Sequence, residues 1–456
     1  MKLTLISLYE LGRAPLALAN LAPRLRDAGF ELELVDLSLD RFSPSSVEDA
    51  ALVALSIPMY TATRLATALA PRILEAAPKA QLAAFGLYAP LNEALLRRLG
   101  FHWILGGESD QELVHIAQRL RAGEGATQTR AFVGFTKIPP RAPDRSGMPA
   151  LGRYAKLRIA GEERLAAYVE SSRGCRHVCR HCPVVPIYDG HFNVLPVEQV
   201  LADIRSEVAR GARHVSFADP DFFNGPGHAE RVVRGLHAEF PDLTFDATIK
   251  IEHLLRDAAR LPLLRESGCL FVTSAVESLD DAVLARLLKG HTRADFEYAV
   301  ALLRASGIQL LPTFIPFHPW TTRAGYVDLL HTLVALDLVE TVSPVQLAIR
   351  LLVPQGSRML DDPDCARRLG PFSEDLLGYP WAHEDPGVDA LQREIQQIAG
   401  ANNDRHQQFH QIWQRAHSAA GLTAPPWSPS GAIVPPHLSE PWYCCAEPVM
   451  GAREAL

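Results

Sequence analysis

The sequence predicts a mixed α/β protein with an N-terminal Rossmann-like domain, a central partial (β/α)6 barrel and a mainly helical C-terminal region with an ordered tail. Two stretches carry short apolar runs that alternate with amphipathic helical patterns, which favours parallel sheets. Prolines interrupt the pattern between these stretches, and a polar helical pattern follows the second one. The predicted parts are the first domain, a linker, the barrel and the C-terminal region, over 1–133, 134–165, 166–360 and 361–456.

In the first part, the apolar runs are separated by helical patterns at a spacing typical of a doubly wound sheet. The predicted strands are Lys2–Leu8, Glu31–Leu37, Leu52–Pro58, Gln81–Leu87 and His102–Glu108.

In the barrel region, six strand–helix units follow one another without a reversal signal, which indicates an open partial barrel. The predicted strands are Ala166–Ser171, His214–Ala218, Thr244–Thr248, Leu270–Ala275, Gln309–Phe314 and Val345–Leu351. One long polar helix is predicted after the barrel, over about Val388–Ala419.

Composition narrows the function classes. The net charge of −7 over 456 residues gives no electrostatic footprint for nucleic acid, and an anionic membrane surface is equally disfavoured as a partner. The N-terminus lacks the order of a signal peptide, and no run of apolar residues is long enough for a membrane span. Three of the seven cysteines lie within eight residues, which is metal spacing rather than a disulfide framework. We therefore expect a protein of the reducing cytoplasm.

The cysteine motif is C-x3-C-x2-C, directly after the first predicted barrel strand. Three thiolates on one tight loop can hold three irons of a [4Fe–4S] cluster, which leaves the fourth iron open to a small molecule. Gly174 lets the backbone turn closely, and the arginines of the motif can offset the cluster's negative charge. A zinc knuckle completed by His177 or His181, or a chance cluster of cysteines, are the alternatives. The ligands are Cys175, Cys179 and Cys182, and the arginines are Arg173, Arg176 and Arg180.

Over roughly Glu170–Gly356, the motif and its place in the barrel resemble the radical SAM superfamily. The resemblance implies that the open iron chelates S-adenosylmethionine (SAM), which an electron from the cluster cleaves to a carbon radical. An external donor such as flavodoxin or ferredoxin would supply that electron.

The resemblance also places site residues at the carboxyl ends of the barrel strands, where such active sites lie. Asp219 in FADPDFF matches the motif that contacts the SAM amino group, and AVES matches the segment that contacts ribose or methionine. Each residue has an alternative role as a helix cap or a surface group. The predicted SAM-pocket residues are Asp219, Thr248, Lys250, Glu277, Ser278 and Arg350.

The segments ALSIPMYTATRLA, FGLYAP and ILGGESDQEL resemble the cobalamin-binding domain of class B radical SAM enzymes. The D-x-H-x-x-G signature that supplies a lower axial histidine is missing. Two hypotheses remain open: the domain binds cobalamin without a protein histidine, with Ser56 and Gly86 lining the corrin, or it is a relic that shapes substrate access.

Near the C-terminus, PWYCCAEPVM carries adjacent Cys444 and Cys445. The tail resembles a family of radical SAM proteins named for a C-terminal CCAEP or CUAEP motif, some of which carry selenocysteine at the second position. Selenium suits a nucleophile, a redox centre or a soft-metal ligand, so the resemblance implies that both cysteines handle substrate, including a thiophilic atom such as As(III). The alternative is an unordered tail with two inert thiols.

These observations predict a radical SAM enzyme, a transferase that passes a carbon group to a small-molecule substrate. Cobalamin-dependent methyl transfer and formation of a carbon–arsenic or carbon–selenium bond are alternatives within that class. A non-catalytic Fe–S protein is a second class, and nucleic-acid modification a third that lacks a basic accessory domain.

Overall fold

The computed structural model describes residues 1–125, 128–135, 139, 141–401, 404–429, 431 and 434–440. Two sheets organise this part of the chain, one in the N-terminal region and one in the centre. No helix within these residues is both long and apolar enough to span a membrane.

The N-terminal sheet contains six parallel strands in the order β2-β1-β3-β4-β5-β6. Its apolar runs are buried because helices cover both faces, which is the environment that parallel strands require. The strands are β1 Lys2–Ser7, β2 Glu31–Asp36, β3 Ala50–Ser56, β4 Gln81–Phe85, β5 Phe101–Gly107 and β6 Phe132–Gly134.

Four helices form the outer layers of this domain. Leucines of α1 and the apolar face of α4 share one core cluster with β1 and β5, whereas α2 and α3 contribute to a separate cluster on the opposite face. This is the doubly wound arrangement that the sequence predicts. The helices are α1 Leu16–Asp27, α2 Tyr60–Ala76, α3 Glu93–Arg98 and α4 Asp110–Arg121.

The central sheet has seven strands in the order β14-β13-β12-β11-β8-β7-β15. Strands β8 and β11–β14 are parallel, whereas β7 and β15 add an antiparallel edge. Leu157 and Leu438 at this edge pack with Phe271, so the sheet curls into a partial barrel. The strands are β7 Lys156–Ile159, β8 Glu162–Val169, β11 His214–Phe217, β12 Thr244–Thr248, β13 Cys269–Glu277, β14 Gln309–Phe314 and β15 His437–Leu438.

Helices on the convex side enclose the main core of the barrel. A short antiparallel pair, β9 Ser172–Gly174 with β10 Phe192–Val194, brackets the cysteine loop and the short helix α5 Val185–Tyr188. The barrel helices are α6 Val197–Ala209, α7 Pro226–Glu239, α8 Ile251–Arg256, α9 Leu261–Glu266, α10 Asp281–Arg286, α11 Arg293–Ala305 and α12 Arg323–Ala335.

Several elements differ from the sequence prediction, among them the additional strands β6 and β15. Within the predicted linker, β7 joins the barrel sheet as a hairpin with β8. The predicted sixth strand, Val345–Leu351, is instead a 3-10 helix over Pro344–Ala348 that is followed by a single parallel bridge between Arg350 and Phe317. Gln346 Oε1 accepts from the backbone N–H of Phe314, so a side chain supplies a hydrogen bond that a neighbouring strand would otherwise make.

The predicted long helix is two helices, α14 Pro386–Gly400 and α15 Arg405–Ala419, which follow α13 Pro363–Arg368. Asp404 starts α15 by accepting from the backbone N–H groups of His406 and Gln407. An aspartate in this position satisfies donors that a helix start leaves without partners, so a new helix begins there.

Candidate functional site

The cysteine motif forms a loop at the carboxyl end of β8, between β9 and α5. Backbone hydrogen bonds from Cys182 to Cys179 and from Val185 to Cys182 close successive turns of the loop. Cys175 and Cys179 are free cysteines, and Cys182 follows three residues later on the same loop. The loop therefore presents three thiols from one short segment at the edge where barrel active sites lie.

Gly174 introduces the turn that precedes Cys175. Its φ of +75° lies in the left-handed region, and a Cβ there would lie 2.4 Å from the carbonyl oxygen of His191. Any side chain at this position would collide with backbone, so the loop path requires glycine.

The electrostatics of the loop suit an anionic metal cluster. Burial raises the pKa of Cys175 to about 12 and also raises the pKa of Cys179. The ammonium groups of Lys289 and Lys250 oppose that effect on Cys179. Coordinated metal stabilises thiolates in a buried site, and the nearby lysines add positive charge to balance them.

The arginines of the motif also bind groups of the protein, and their role in offsetting the cluster's charge stays a prediction. Arg173 pairs with carboxylates, and Arg176 donates to the carbonyl of Asn224. Arg180 donates to the carbonyl of Arg286 and lies 3.5 Å from a carboxylate oxygen of Asp362. Each guanidinium thus contacts groups of the protein. Lys289, in the segment LLKGHT after α10, adds positive charge beside the loop and was not predicted from the sequence.

Glu277, predicted to contact SAM, is at the end of β13 and is 2% exposed. Its Oε1 lies 3.0 Å from His181 Nε2 and 3.6 Å from Lys289 Nζ. Its φ of +73° is uncommon for a residue with a side chain. The structure thus brings Glu277 to the cysteine loop, since His181 directly precedes Cys182.

Asp219, the predicted partner of the SAM amino group, is buried behind the loop. Its carboxylate accepts from the backbone N–H and hydroxyl of Ser171, each at 2.8 Å, and from the hydroxyl of Ser172. Burial raises its pKa to about 6, and these hydrogen bonds oppose the rise. These contacts fix the strand end that leads into the cysteine loop.

Lys250 and Thr248 follow β12 on the same side of the barrel. Lys250 Nζ donates to Glu252 Oε2 at 2.8 Å and lies 3.1 Å from His177 Nδ1, within the cysteine loop. Thr248 instead faces a cavity inside the barrel. Lys250 is therefore beside the loop, and Thr248 is deeper in the lumen.

Ser278 and Arg350 have other surroundings. The hydroxyl of Ser278 accepts from the backbone N–H of Asp280 and borders a side cavity of about 220 Å³ with Glu277. Arg350 pairs with Asp389 at 2.7 Å and stacks on the ring of Trp381 at 3.4 Å. Arg350 is thus held by the C-terminal region, and we find it engaged away from the cysteine loop.

A group that sequence analysis missed lies against the loop. His177 Nε2 is 3.0 Å from His253 Nε2, and His253 Nδ1 is 2.8 Å from Asp221 Oδ2. His177 stands within the motif, but nothing in the sequence around His253 or Asp221 indicates that the fold brings them together.

The N-terminal sheet meets the cysteine loop through a buried charge cluster. Arg173 donates to Glu108 at 2.9 Å, in the turn after β5, and to Asp110 at 3.0 Å, at the start of α4. It also pairs with Glu170. Asn20 on α1 donates to the same Glu170. The carboxyl edge of the first sheet therefore faces the loop, which is where a ligand of an open α/β sheet would lie.

The two residues predicted to line a corrin are engaged by the protein. Ser56 Oγ lies 3.5 Å from Glu10 Oε1, and a Cβ on Gly86 would lie 2.9 Å from the carbonyl oxygen of Ile57. Their assignment to cobalamin stays a prediction. The carboxyl edge of the sheet faces the cysteine loop, as a cobalamin site requires, but protein groups already lie against these two positions.

Cys444 and Cys445 lie outside the described residues. The described chain reaches Glu440, two residues after β15, and the Glu440 side chain packs on Gly12 of the first domain. His437, Leu438 and Ser439 line the barrel cavity. The tail segment therefore starts where the first domain, the last strand and the cavity meet.

The cavity inside the curled sheet, here called the lumen cavity, measures about 250 Å³. It is lined by the inner faces of β11–β14, by the segment after α12, by the start of α15 and by β15. The residues used below are Arg13, Asp246, Thr248, Thr313, Glu340 and Arg405.

Buried polar atoms around the loop support binding of SAM. Nδ1 of His181 and both ring nitrogens of His291 have no hydrogen-bond partner among the described residues. Buried polar groups in folded proteins are almost always paired, so such atoms mark a place where a polar ligand belongs. Together with the three thiols, they fit a cluster and SAM.

A comparison with known proteins finds a family match that includes the cysteine loop. Residues 169–333 match the model of the Radical SAM superfamily. The chain is 26% identical over 226 residues to the ribosomal protein uS12 methylthiotransferase RimO of Geobacter sulfurreducens, covering 44% of this chain and 49% of that protein. The chain thus spans about half the length of the curated relatives it matches. It contains a radical SAM domain, which implies a [4Fe–4S] cluster and SAM.

Two solved structures share the fold over a wider range. The cobalamin-dependent radical enzyme OxsB, with aqua-cobalamin and S-adenosylmethionine bound, matches with a TM-score of 0.69 at 16% identity, over 92% of this chain and 72% of that one. The methyltransferase TsrM of Kitasatospora setae, with tryptophan substrate and a SAM analog, matches with a TM-score of 0.62 at 19% identity, over 80% and 76%. The N-terminal sheet, the curled sheet and the helical C-terminal region follow the fold of cobalamin-dependent radical SAM enzymes.

Proposed function

We propose that the protein is a radical SAM enzyme that cleaves SAM reductively and transfers a carbon group to a small-molecule substrate. The observation that carries this proposal is the single loop of three cysteines at the carboxyl end of β8, inside the matched radical SAM domain. Three protein ligands leave one iron of a cubane open for SAM. A non-catalytic electron carrier has no use for an open iron.

The bound cluster would supply one electron to break a carbon–sulfur bond of SAM, and an external flavodoxin or ferredoxin would restore that electron. Cys175, Cys179 and Cys182 would hold the cluster. Lys250 and Lys289 would balance its negative charge, and the carboxylate of Glu277 holds His181 and Lys289 in place beside it. Asp219 fixes the strand end from which the loop departs.

Cobalamin-dependent methyl transfer is the second candidate. The match to OxsB includes the N-terminal domain, and the carboxyl edge of that sheet faces the cysteine loop through Arg173. Both features support cobalamin between the two parts. Because Ser56 and Gly86 already contact the protein, we assign no step to cobalamin here.

The tail supports a further element of the proposal. We assign Cys444 and Cys445 to substrate handling, as expected for a CCAEP-tail radical SAM protein, with formation of a carbon–arsenic or carbon–selenium bond as the alternative reaction. In the sequence, Cys444 and Cys445 follow Ser439, which lines the lumen cavity, by five and six residues.

The test is replacement of Cys175, Cys179 and Cys182 together by Ala. Wild-type protein reconstituted anaerobically should bind about four irons per chain and cleave SAM when reduced, since three thiolates hold the cubane. The variant should lose the broad cluster absorbance and all SAM cleavage. Iron analysis, optical spectra and chromatographic detection of SAM products provide the measurements.

Cys269→Ala is the matched control, because it removes a buried thiol from β13 and should retain iron and SAM cleavage. Stoichiometric zinc with no iron uptake would refute the proposal. An intact cluster without any SAM cleavage under strong reductant would favour the electron carrier.

A further inference from the structure

The lumen cavity carries charged groups of both signs deep inside the barrel. Arg405, at the start of α15, and Glu340, after α12, both line it. Arg13 reaches the same cavity from the first domain. Charged side chains at the wall of an enclosed cavity are costly unless a ligand or a protein group complements them.

Three polar atoms at this cavity have no hydrogen-bond partner among the described residues. They are Nε of Arg405, Oε2 of Glu340 and Oγ1 of Thr313, all of them buried. Glu340 is 7% exposed and Thr313 is 6% exposed. The atoms comprise a cationic donor, an anionic acceptor and a hydroxyl, so they call for a ligand that both accepts and donates.

The remaining groups of these side chains are fixed. Arg405 donates through Nη2 to the carbonyl of Val342 at 2.7 Å, and Glu340 Oε1 contacts His406 Nε2. In each side chain, one polar atom is bound by the protein and another, at the cavity, has no partner in the described part of the chain. Preorganised polar groups of this kind orient a small ligand in an otherwise enclosed pocket.

Asp246 on the opposite wall is already satisfied. Its Oδ1 lies 2.8 Å from His214 Nε2, and its Oδ2 accepts from the Ser216 hydroxyl at 3.1 Å. This carboxylate is therefore structural, and the ligand's charged groups are left to Glu340 and Arg405.

The cavity lies inside the strands that lead to the cysteine loop. Thr248 at the end of β12 pairs in register with Thr273 in the middle of β13, and Ala275 pairs with Thr313 of β14. Glu277 ends β13 two residues after Ala275 and contacts the residue before Cys182. A ligand in the lumen and the cysteine loop would therefore share the same strand, β13.

We propose that the lumen cavity binds an α-amino-acid-sized zwitterion as substrate, with its carboxylate on Arg405, its ammonium group on Glu340 and a hydrogen bond to Thr313; this substrate class rests on the radical SAM function proposed above. The volume of about 250 Å³ suits a small ligand of the size of a free amino acid.

The experiment uses the full chain, loaded with cluster and SAM under anaerobic conditions. The probes are the individual proteinogenic L-α-amino acids, each compared with its carboxamide and its N-acetyl derivative. Binding is measured by equilibrium dialysis and by ligand-detected NMR. At least one free amino acid should bind, and blocking either charge should weaken its binding about tenfold or more, because each blocked group loses a charge-assisted hydrogen bond.

Two variants test which protein side chain binds the carboxylate of the ligand and which binds its ammonium group. Arg405→Met should weaken binding of the free acid while leaving the weaker binding of the carboxamide nearly unchanged. Glu340→Gln, an isosteric change, should weaken binding of the free amino acid while leaving the weaker binding of the N-acetyl derivative nearly unchanged. Arg393→Met and Glu384→Gln, on exposed positions of the C-terminal region, are the matched controls and should bind as wild type does.

Iron content and thermal unfolding of each variant separate loss of binding from loss of fold. If no free amino acid binds to wild type, or if the blocked derivatives bind equally well, the substrate class is wrong. SAM cleavage without added substrate is measured on the same sample. Cleavage with no amino-acid binding overturns this inference alone, whereas absence of both cluster and cleavage overturns the radical SAM function.

Discussion

At the scale of single residues, Glu277 combines an uncommon backbone conformation with a buried carboxylate that has charged and polar partners. Its positive φ turns the chain at the end of β13, and its buried carboxylate is shared by His181 and Lys289. The charge of Lys289 and the hydrogen bond with His181 hold the pKa of Glu277 below its usual value even though burial alone would raise it. A family resemblance predicts Glu277 at the pocket, whereas its partner Lys289 follows α10 and no local motif indicates that the two side chains meet.

Lys289→Met should destabilise the apo protein by about 3–5 kcal/mol, because it leaves Glu277 buried without that partner. Glu277→Gln in the same chain should recover part of the loss, since it removes the charge that lacks its partner. The double-mutant cycle, measured by denaturant unfolding, should therefore show a coupling of about 1 kcal/mol or more. Strictly additive losses would contradict a direct interaction between the two side chains.

At the scale of elements, the cysteine loop is fastened to the first domain through Arg173. The guanidinium lies among carboxylates from β5–α4 and from the end of β8, and their combined charge raises its pKa despite burial. Because this residue directly precedes Gly174, the position of the first sheet is transmitted to the start of the loop.

Arg173→Met should cost about 3–5 kcal/mol and accelerate loss of iron from the reconstituted protein, since three carboxylates lose their shared cation. Arg205→Met is the matched control, because Arg205 also joins two glutamates, Glu198 and Glu239, but at the surface. Exposed ion pairs contribute little, so the control should retain stability and iron. Iron chelation kinetics and urea unfolding measure both effects, and equal behaviour of the two variants would contradict a structural role for the buried cluster.

The elements also show how far local sequence determines this fold. Strands Thr244–Thr248 and Gln309–Phe314 agree with the prediction to the residue. Gln309–Phe314 is mostly apolar, as buried parallel strands are, whereas apolar Phe245 and Ala247 alternate with polar residues in Thr244–Thr248. The predicted sixth strand, Val345–Leu351, begins with a 3-10 helix instead, and the side chain of Gln346 in this helix accepts from the backbone N–H of Phe314, a contact that no local pattern predicts. Arg350 has its partner Asp389 on a helix of the C-terminal region, and no local pattern encodes such a pairing.

At the scale of the whole molecule, three parts of the chain converge on the lumen cavity. The barrel supplies its wall, Arg13 comes from the first domain, and β15 closes one side with residues from just before the tail. The antiparallel pairing of β15 with β7 fixes the point from which the tail departs. This convergence was not predictable from the sequence, because the pairing of residues some 280 positions apart depends on the curl of the sheet.

The tail cysteines should therefore act on the substrate while leaving the cluster unaffected. Cys445→Ser should retain iron and SAM binding, yet stop transfer of isotope-labelled carbon from SAM to acceptors in a small-molecule extract, as followed by mass spectrometry. Serine keeps the shape but lacks the readily ionised, polarisable sulfur. The variant should also lose binding of arsenite, which prefers paired thiolates. Cys365→Ala, which removes a buried thiol from α13, is the control and should transfer carbon as wild type does. Full transfer by Cys444→Ser, Cys445→Ser and the double variant would show that the tail thiols take no part in the reaction.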